Sequence, residues 1–317
     1  MSDLIPPIPA DLPSRLMRRA HLLSDFLVVA NAGGIRQAAD TMHISQSALT
    51  RRIQDLEGAL NVTLFERTPR GMTLTSFGQA LHHHASVIAL TCKYATGEMD
   101  DLRDGESGEL RIAAGPAWAY ALVPDAVARM QAEHPRVQVT LISQMNDSTL
   151  PMLSSGKLDL VLGGLPSPSD RDPQLTYEPL LQIEHHIYAH QTHVLHDASS
   201  VKPHDLQNFP WIWFVEAVTA RTLVASYFKR ARLTMPEAAV ETSSVQFGFR
   251  LLQHGSHLMV LPSTLRDLAM EKGLAPLPLD GTIGRYTAGL MYRASARRLK
   301  AFQSFCKAIS TELETLQ

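Results

Sequence analysis

The chain has 317 residues, 45% of them hydrophobic and 19% charged, with a formal net charge of −2. That is more than one average domain holds, so two or three compact units are expected, each able to bury a core. The longest apolar runs, around residues 26–30 and 258–262, fall well short of the roughly 18 residues a membrane span needs, and a net charge this small does not announce a nucleic-acid partner.

The N-terminal residues carry acids, four prolines at positions 6, 7, 9 and 13, and no apolar segment of signal-peptide length. Cytoplasm is therefore the expected location, and residues 1–18 read as an extended tail. Cys92 and Cys306 fall in helix-like patterns and read, in a reducing compartment, as small buried apolar residues.

Residues 1–75 hold eight arginines and no lysine against seven acids, a local charge of only +1. Placement must carry the argument. Leu22, Phe26, Val29 and Ala30 share one helical face that stops at Ala32-Gly33-Gly34. Ile35, Ala38, Ala39 and Met42 form a second short face, with alanines small enough to admit a neighbouring helix. After His43-Ile44-Ser45, where Ser45 is a natural N-cap, Leu49, Ile53, Leu56 and Leu60 recur at helical steps and line a buried side. Opposite them runs a stripe of Ser47, Thr50, Arg51 and Gln54, short hydrogen-bonding groups and an arginine rather than the Glu and Lys of an ordinary solvated face.

Two short helices, a tight turn and a polar outer face are the pattern of a helix-turn-helix, whose second helix enters the major groove of double-stranded DNA. Gln46, Ser47 and Thr50 have the length to meet base edges or phosphates, and Arg51, Arg52 and Gln54 can reach guanine or the backbone. Ser45 at the turn, with Arg36 and Gln37 on the preceding helix, completes the expected DNA-facing set on the helices. Asn61 stands where the helix needs a residue tolerant of positive φ. Residues 62–65 then read as a strand, 68–71 as a turn and 72–75 as a return strand, a hairpin wing carrying Arg67 and Arg70 near its tip for phosphates or the minor groove.

The segment AGGIRQAADTMHISQSALTRRIQDLEGALNVTLFERTPRGMTLTSFG resembles the DNA-binding segment of the LysR-type transcriptional regulators. The resemblance rests on Ala38-Ala39, Ser45-Gln46, Leu56-Glu57, Leu64-Phe65 followed by Arg67, and Leu74-Thr75 followed by Gly78, all at the family's spacing. Ser47 stands where proline is frequent, Thr50 where serine is usual, Met42 where leucine is common and Asn61 where glycine normally ends the helix. Each keeps the physical role of the residue it replaces.

From Ser76, with Gln79 as the partner of a capping box, the chain runs without proline to Asp104. Leu81, Ala85, Ile88, Cys92, Ala95, Met99 and Leu102 alternate steps of four and three, a heptad seam that one helix cannot bury alone. Residues 76–105 therefore read as a linker helix that pairs two subunits, as the resemblance also implies. His82, His83 and His84 are adjacent, so they point about 100° apart and cannot converge on one ion. They read as a solvated or DNA-proximal face, and no metal or cofactor is expected.

Beyond residue 105, strands near 110–114, 137–142, 158–163, 183–189, 211–215, 238–242, 257–261 and 287–292 alternate with helices near 120–132, 148–155, 219–231, 244–254 and 297–315, the rhythm of α/β units on a parallel sheet. The resemblance implies two lobes like those of a periplasmic binding protein, one of about 109–182 plus 283–317 and the other about 183–282. The whole chain is thus expected to be α+β in two parts: a winged helix-turn-helix (19–75) with its linker helix, then a two-lobed effector domain (106–317).

Ligands of open α/β sheets lie beyond the carboxyl ends of strands, where helix N-termini favour an anion. Here those ends are residues 115–118, the loop of Asn146, residues 163–165, 216–219 and 243–246. The expected effector contacts are Ala117, Trp118, Asn146, Gly164, Thr219, Arg221, Ser244 and Gln246. Trp118 reads equally as a stacking wall or as lobe-interface packing. Arg221 reads as a carboxylate partner or as a surface residue, and Thr219 and Ser244 are good N-caps in either case. A small organic acid or amino acid is the expected effector.

No G-x-S-x-G, Walker or dinucleotide glycine pattern occurs, so an enzyme is not expected. The expectation is a DNA-binding transcriptional regulator, dimeric through the linker helix and tetrameric through its effector domains, acting on the access of RNA polymerase. A solute-binding protein without a DNA role would explain the lobes and leave the winged helix unexplained.

Overall fold

A computed structural model describes residues 14–68, 71–104, 108–215 and 217–314. It divides into two compact units, Met1–Ala95 and Thr96–Gln317, with the boundary inside one long helix. Among the described residues no helix is long and apolar enough to cross a membrane.

The first unit opens with a helical turn, α1 (Ser14–Met17), rather than the extended chain suggested by the neighbouring prolines; residues 1–13 of the expected tail lie outside the described residues. Then come α2 (Leu22–Ala32), α3 (Ile35–Met42), α4 (Gln46–Leu60), the hairpin β1 (Phe65–Thr68) and β2 (Gly71–Leu74), and α5 (Ser76–Asp104). Gly33, His43 and Asn61 close α2, α3 and α4 in left-handed conformations, at φ 69°, 55° and 55°, each returning its N–H to a carbonyl of the last turn. Leu22, Phe26 and Val29 of α2 pack with Ala38 and Ala39 of α3 and with Leu49, Ile53 and Leu56 of α4. Phe65 brings the wing onto this core, its ring centroid 5.3 Å from that of Phe26.

Two local expectations need correction. The wing's first strand begins at Phe65 rather than residue 62, because the end of α4 claims the intervening backbone. Val62 N–H donates to the Glu57 carbonyl (3.2 Å), and Leu64 N–H donates to the Glu57 carboxylate (2.7 Å). The cap of α5 is Thr75 rather than Ser76: its hydroxyl accepts the Gly78 N–H (3.0 Å) while donating to the Thr63 carbonyl (2.7 Å), so one side chain starts the helix and pins the wing.

Along α5, Leu81 and Ala85 join the winged-helix core. Further on, Ile88, Cys92, Ala95 and Met99 are exposed in the single chain. Cys92 is thus not a buried residue here, whereas Cys306 is partly covered, and burial pushes its thiol up to about 12. His82 turns its ring edge towards Phe26, with centroids 6.4 Å apart.

The second unit contains β3 (Gly108–Ala114), α6 (Pro116–Ala121), α7 (Val123–Glu133), β4 (Val137–Ser143), α8 (Asn146–Ser154) and β5 (Leu160–Gly164) in its first lobe. The single helix expected near 120–132 is two: Pro124 has no N–H to return to Tyr120, and the chain breaks at Leu122. β6 (Thr176–His190) leads into the second lobe, which holds β7 (Trp211–Phe214), α9 (Val218–Arg230), β8 (Ala238–Thr242), α10 (Val245–Leu252), β9 (Leu258–Pro262), α11 (Arg266–Glu271) and β10 (Leu274–Pro276). β11 (Arg285–Tyr292) returns to the first lobe, closed by α12 (Lys300–Glu314).

The strand order is β4-β3-β5-β11-β6-β9-β7-β8, with β10 also on β6. β4, β3 and β5 are mutually parallel, as are β9, β7 and β8, but β6 and β11 are antiparallel to each other and to their outer neighbours. A uniformly parallel sheet is impossible here: a chain that leaves one lobe along β6 and comes back along β11 must run them in opposite directions. In the first lobe the fully buried Asp159 accepts from the backbone N–H of Arg111 (2.8 Å) and from its guanidinium Nε (3.1 Å) and Nη2 (2.8 Å), stitching β3 to the start of β5. In the second lobe Trp211 and Trp213 stack at 5.6 Å, with Trp211 set against Phe228.

Candidate nucleic-acid interface and ligand cleft

The two faces of α4 differ as sharply as its sequence suggests. Leu49, Ile53 and Leu56 are 0%, 4% and 0% exposed, while Gln46, Ser47, Arg51, Arg52 and Gln54 stand in solvent. Ser45 caps the helix, its hydroxyl accepting the Ala48 N–H (3.2 Å) and sharing a hydrogen bond with the Ser47 hydroxyl (3.1 Å). Thr50 is half-buried and donates back to the Gln46 carbonyl (2.7 Å). Arg52 lies 3.4 Å from the buried carboxylate of Asp25 on α2, which ties one side of α4 to the scaffold and leaves Arg51 as the outward arginine. Arg36 and Gln37 are exposed at the start of α3. Arg67 lies on β1 with only its backbone described, and Arg70 lies outside the described residues. The Met72 N–H bonds to the Gly33 carbonyl (2.9 Å), holding the wing against the α2–α3 turn.

In the second unit five strand ends meet around a cavity of about 110 Å³. β3 delivers Pro116, Ala117 and Trp118; β4 delivers Met145, Asn146 and Asp147; β5 delivers Gly163 and Gly164; β7 delivers Trp213 and Phe214, followed by residues 217–220; β9 delivers Val260 and Pro262. The crossing strands add His185 and Tyr286, whose rings stack at 5.4 Å and 26°. Two of these ends are crowded by side chains: a Cβ on Gly163 would press on the Asn146 amide oxygen, which would have to move, and one on Gly164 would stand 2.8 Å from the Tyr286 ring. Asn146 in turn donates its amide to the Gly164 carbonyl, fixing the start of α8 against β5.

Two titratable groups in the cavity wall are held neutral by burial. Burial, and then the neighbouring His186, lowers His185 to about 4, so its imidazole is neutral near pH 7, and burial pushes the Tyr286 phenol up to about 12. Trp118 and Trp213 are 3% and 2% exposed, and their indole N–H groups, like His185 Nδ1, find no hydrogen-bond partner among the described residues.

Residues 103–314 match the family described as LysR substrate binding domain, and residues 20–79 match Bacterial regulatory helix-turn-helix protein, lysR family. The chain belongs to the LysR family. It is a LysR-type transcriptional regulator with a winged-helix DNA-binding unit and a two-lobed effector-binding domain. Among relatives, CfxR of Cupriavidus necator is 27% identical over 292 residues, covering 92% of this chain and 90% of CfxR. A probable RuBisCO transcriptional regulator of Trichormus variabilis is 23% identical over 309 residues, 96% of this chain and 90% of that one. The fold is shared with full-length OxyR from Pseudomonas aeruginosa (TM-score 0.67, 19% identity, 92% of this chain and 94% of that one) and with the LysR family regulator CbnR (TM-score 0.60, 20% identity, 92% and 98%).

Within this LysR effector domain, Ala117, Trp118, Asn146, Gly164 and Thr219 line one cavity. Arg221, Ser244 and Gln246 do not line it. Arg221 pairs with Glu241 and lies 5.2 Å from the Trp213 ring centroid, so a partner within the lobe takes the charge suggested for a ligand carboxylate. Ser244 caps α10 by accepting the Phe247 N–H (3.2 Å), and Gln246 is exposed on its first turn. Thr219 is not a cap: Ala217 holds that position, and Thr219 sits within the first turn of α9. Glu216, on the same strand end, lies outside the described residues. Sequence reasoning missed His185, Tyr286 and Trp213. The two crossing-strand residues carry no local signal, being 101 positions apart and paired only by the β6–β11 register.

Proposed function

We propose that this regulator binds a palindromic operator as a dimer, that two dimers associate into a tetramer, and that a small molecule in the cleft sets the spacing of their winged helices. The observation that carries this reading is the two-sided α4: a fully buried apolar row opposite exposed Gln46, Ser47, Arg51 and Gln54, lengths suited to base edges. Arg36, Gln37, Ser45 and Thr50 flank that row, Arg52 adds a backbone contact at its side, and Arg67 and Arg70 of the wing reach phosphates or the minor groove.

The exposed stripe of Ile88, Cys92, Ala95 and Met99 on α5 is the face that pairs two subunits. Ligand that favours one closure of the lobes shifts the dimer spacing, bends or relaxes the DNA and changes the access of RNA polymerase; equal affinity for both closures would move nothing. CbnR has been solved with its target DNA, which supports the same use of the fold here.

The test is a titration of promoter DNA by the full chain at several salt concentrations. Affinity is expected to fall by roughly 10³ or more between 50 and 200 mM salt if six or more phosphates are neutralised. A solute carrier shows no DNA binding at either salt. A parallel thermal-shift screen of the full chain against small metabolites identifies effectors by the rise in melting temperature that binding to the folded state brings.

A further inference from the structure

We propose that Thr50 reads thymine through its methyl group, so that each half-site of the operator carries a thymine whose 5-methyl packs against Cγ2 of Thr50 in the major groove. This rests on the DNA-binding reading above and deepens it by naming one base and the group that selects it.

The hydrogen bonding of Thr50 is the first observation. Its hydroxyl donates to the Gln46 carbonyl one turn earlier, at 2.7 Å, the back-bond open to a threonine inside a helix. A hydroxyl has one proton to give. With that proton spent on the backbone, the side chain has no donor left for a base, and its methyl is the part not committed to the chain itself. Staggering about χ1 sets Cγ2 well apart from Oγ1, and branching at Cβ leaves the side chain few other rotamers in a helix.

Position is the second. Thr50 is the fifth residue of α4, which begins at Gln46, and the N-terminal residues of a recognition helix are those that meet base edges. Its exposed neighbours Gln46, Ser47 and Arg51 supply hydrogen-bonding groups, and every base pair offers partners to such groups. A methyl is more selective. In the major groove only thymine presents one, and apolar contact with a threonine methyl is among the ways thymine is told from the other bases.

The neighbouring hydroxyls are the third. Ser45 Oγ accepts the Ala48 N–H (3.2 Å) and shares a hydrogen bond with the Ser47 hydroxyl (3.1 Å). When Ser45 donates in that pair, Ser47 keeps its own proton for a base. Ser47 lies three positions before Thr50 and so on the same side of the helix. The thymine edge sets an O4 acceptor beside its methyl, which matches a donor and a methyl spaced in this way.

The test begins with selection by the full chain from a pool of random-sequence DNA duplexes. Binding to the enriched duplex is then measured with each thymine replaced in turn by uracil, which removes the methyl and keeps every hydrogen-bonding group. Each half-site is expected to hold a thymine at which uracil weakens binding by roughly three- to fivefold, the loss that one methyl contact carries. Thr50→Ser keeps the hydroxyl and removes the methyl, and is expected to bind thymine and uracil equally at that place. Thr50→Val keeps the methyl and removes the hydroxyl, and is expected to retain the preference for thymine. The readout is a ratio on one folded preparation, so a general change of affinity or stability in either variant leaves it readable. A preference that survives in the serine variant overturns the assignment and points to another side chain, such as the exposed Ala48. A preference lost in the valine variant overturns it in favour of the hydroxyl, and an enriched site with no uracil-sensitive thymine overturns it outright. A pool without enrichment counts instead against the DNA-binding reading, on which this inference stands.

Discussion

On α4 the side chains proposed to meet DNA stand in water, within nine positions of one helix. Those that line the cleft arrive from places as distant as Trp118 and Tyr286 and are packed away, with Trp118, Trp213 and His185 at 3%, 2% and 7% exposure. The difference teaches where stability and recognition separate. On the proposed reading, a substitution on the outer face of α4 removes contacts to DNA and little else. In the cleft the side chains that line the cavity are also packed core, so there a substitution changes folding and any recognition together.

The largest expected effect tests that separation within one helix. Leu49→Ala, on the fully buried row, is expected to cost 2–5 kcal/mol in urea unfolding. Ser47→Ala, on the exposed row, should stay within about 0.5 kcal/mol yet lower operator affinity. Equal stability losses at the two positions would erase the distinction between the faces.

The cleft offers a pH test with a definite sign. His185 has a folded value near 4, below its ordinary 6.5, because burial disfavours the charged ring. Between those values the unfolded chain binds more protons, so stability is intact above about pH 6.5, declines as pH falls through the window and is lost by about pH 4, on the order of 3 kcal/mol for this group. His185→Gln should flatten that acid limb in denaturant unfolding followed from pH 7 to 4; an unchanged limb would show that the ring is not held neutral by its site.

The smallest effect concerns Arg221. Its pairing with Glu241 is partly exposed on both sides, so Arg221→Ala should cost less than about 1 kcal/mol and leave ligand affinity within twofold. A tenfold loss of ligand affinity would return this arginine to the cleft and restore a carboxylate as its partner.

Much of the first unit was legible because its signals are local. Asn61 and the Gly33 turn announce helix ends by residue type, Ser45 announces a cap, and the row Leu49, Ile53, Leu56 announces a buried face within a dozen residues. What the sequence hid there was competition for the same backbone groups: Glu57 reaching Leu64 delays the wing, and Thr75 rather than Ser76 starts α5. In the second unit most strand ends were legible as places, and five of the eight expected contacts share one cavity. The rest depended on long-range pairing. β6 runs fifteen residues through both lobes, and its pairing with β11, which brings His185 to Tyr286, leaves no trace in a local window. The four residues of β7, Trp-Ile-Trp-Phe, are all buried, so alternation could not say that Trp213 lines the cavity. A lone arginine in the first turns of a helix does not reveal which acid it meets.

The measurement closest to the central claim is operator binding by Arg51→Ala beside the unaltered chain, with ligand affinity determined on the same two preparations. Loss of an outward arginine contact to a base should weaken operator binding by about 1–3 kcal/mol, roughly five- to 150-fold, with melting temperature and ligand affinity unchanged. Undiminished operator affinity, or a loss confined to the ligand, would mean that the exposed side of α4 is not the surface that reads DNA.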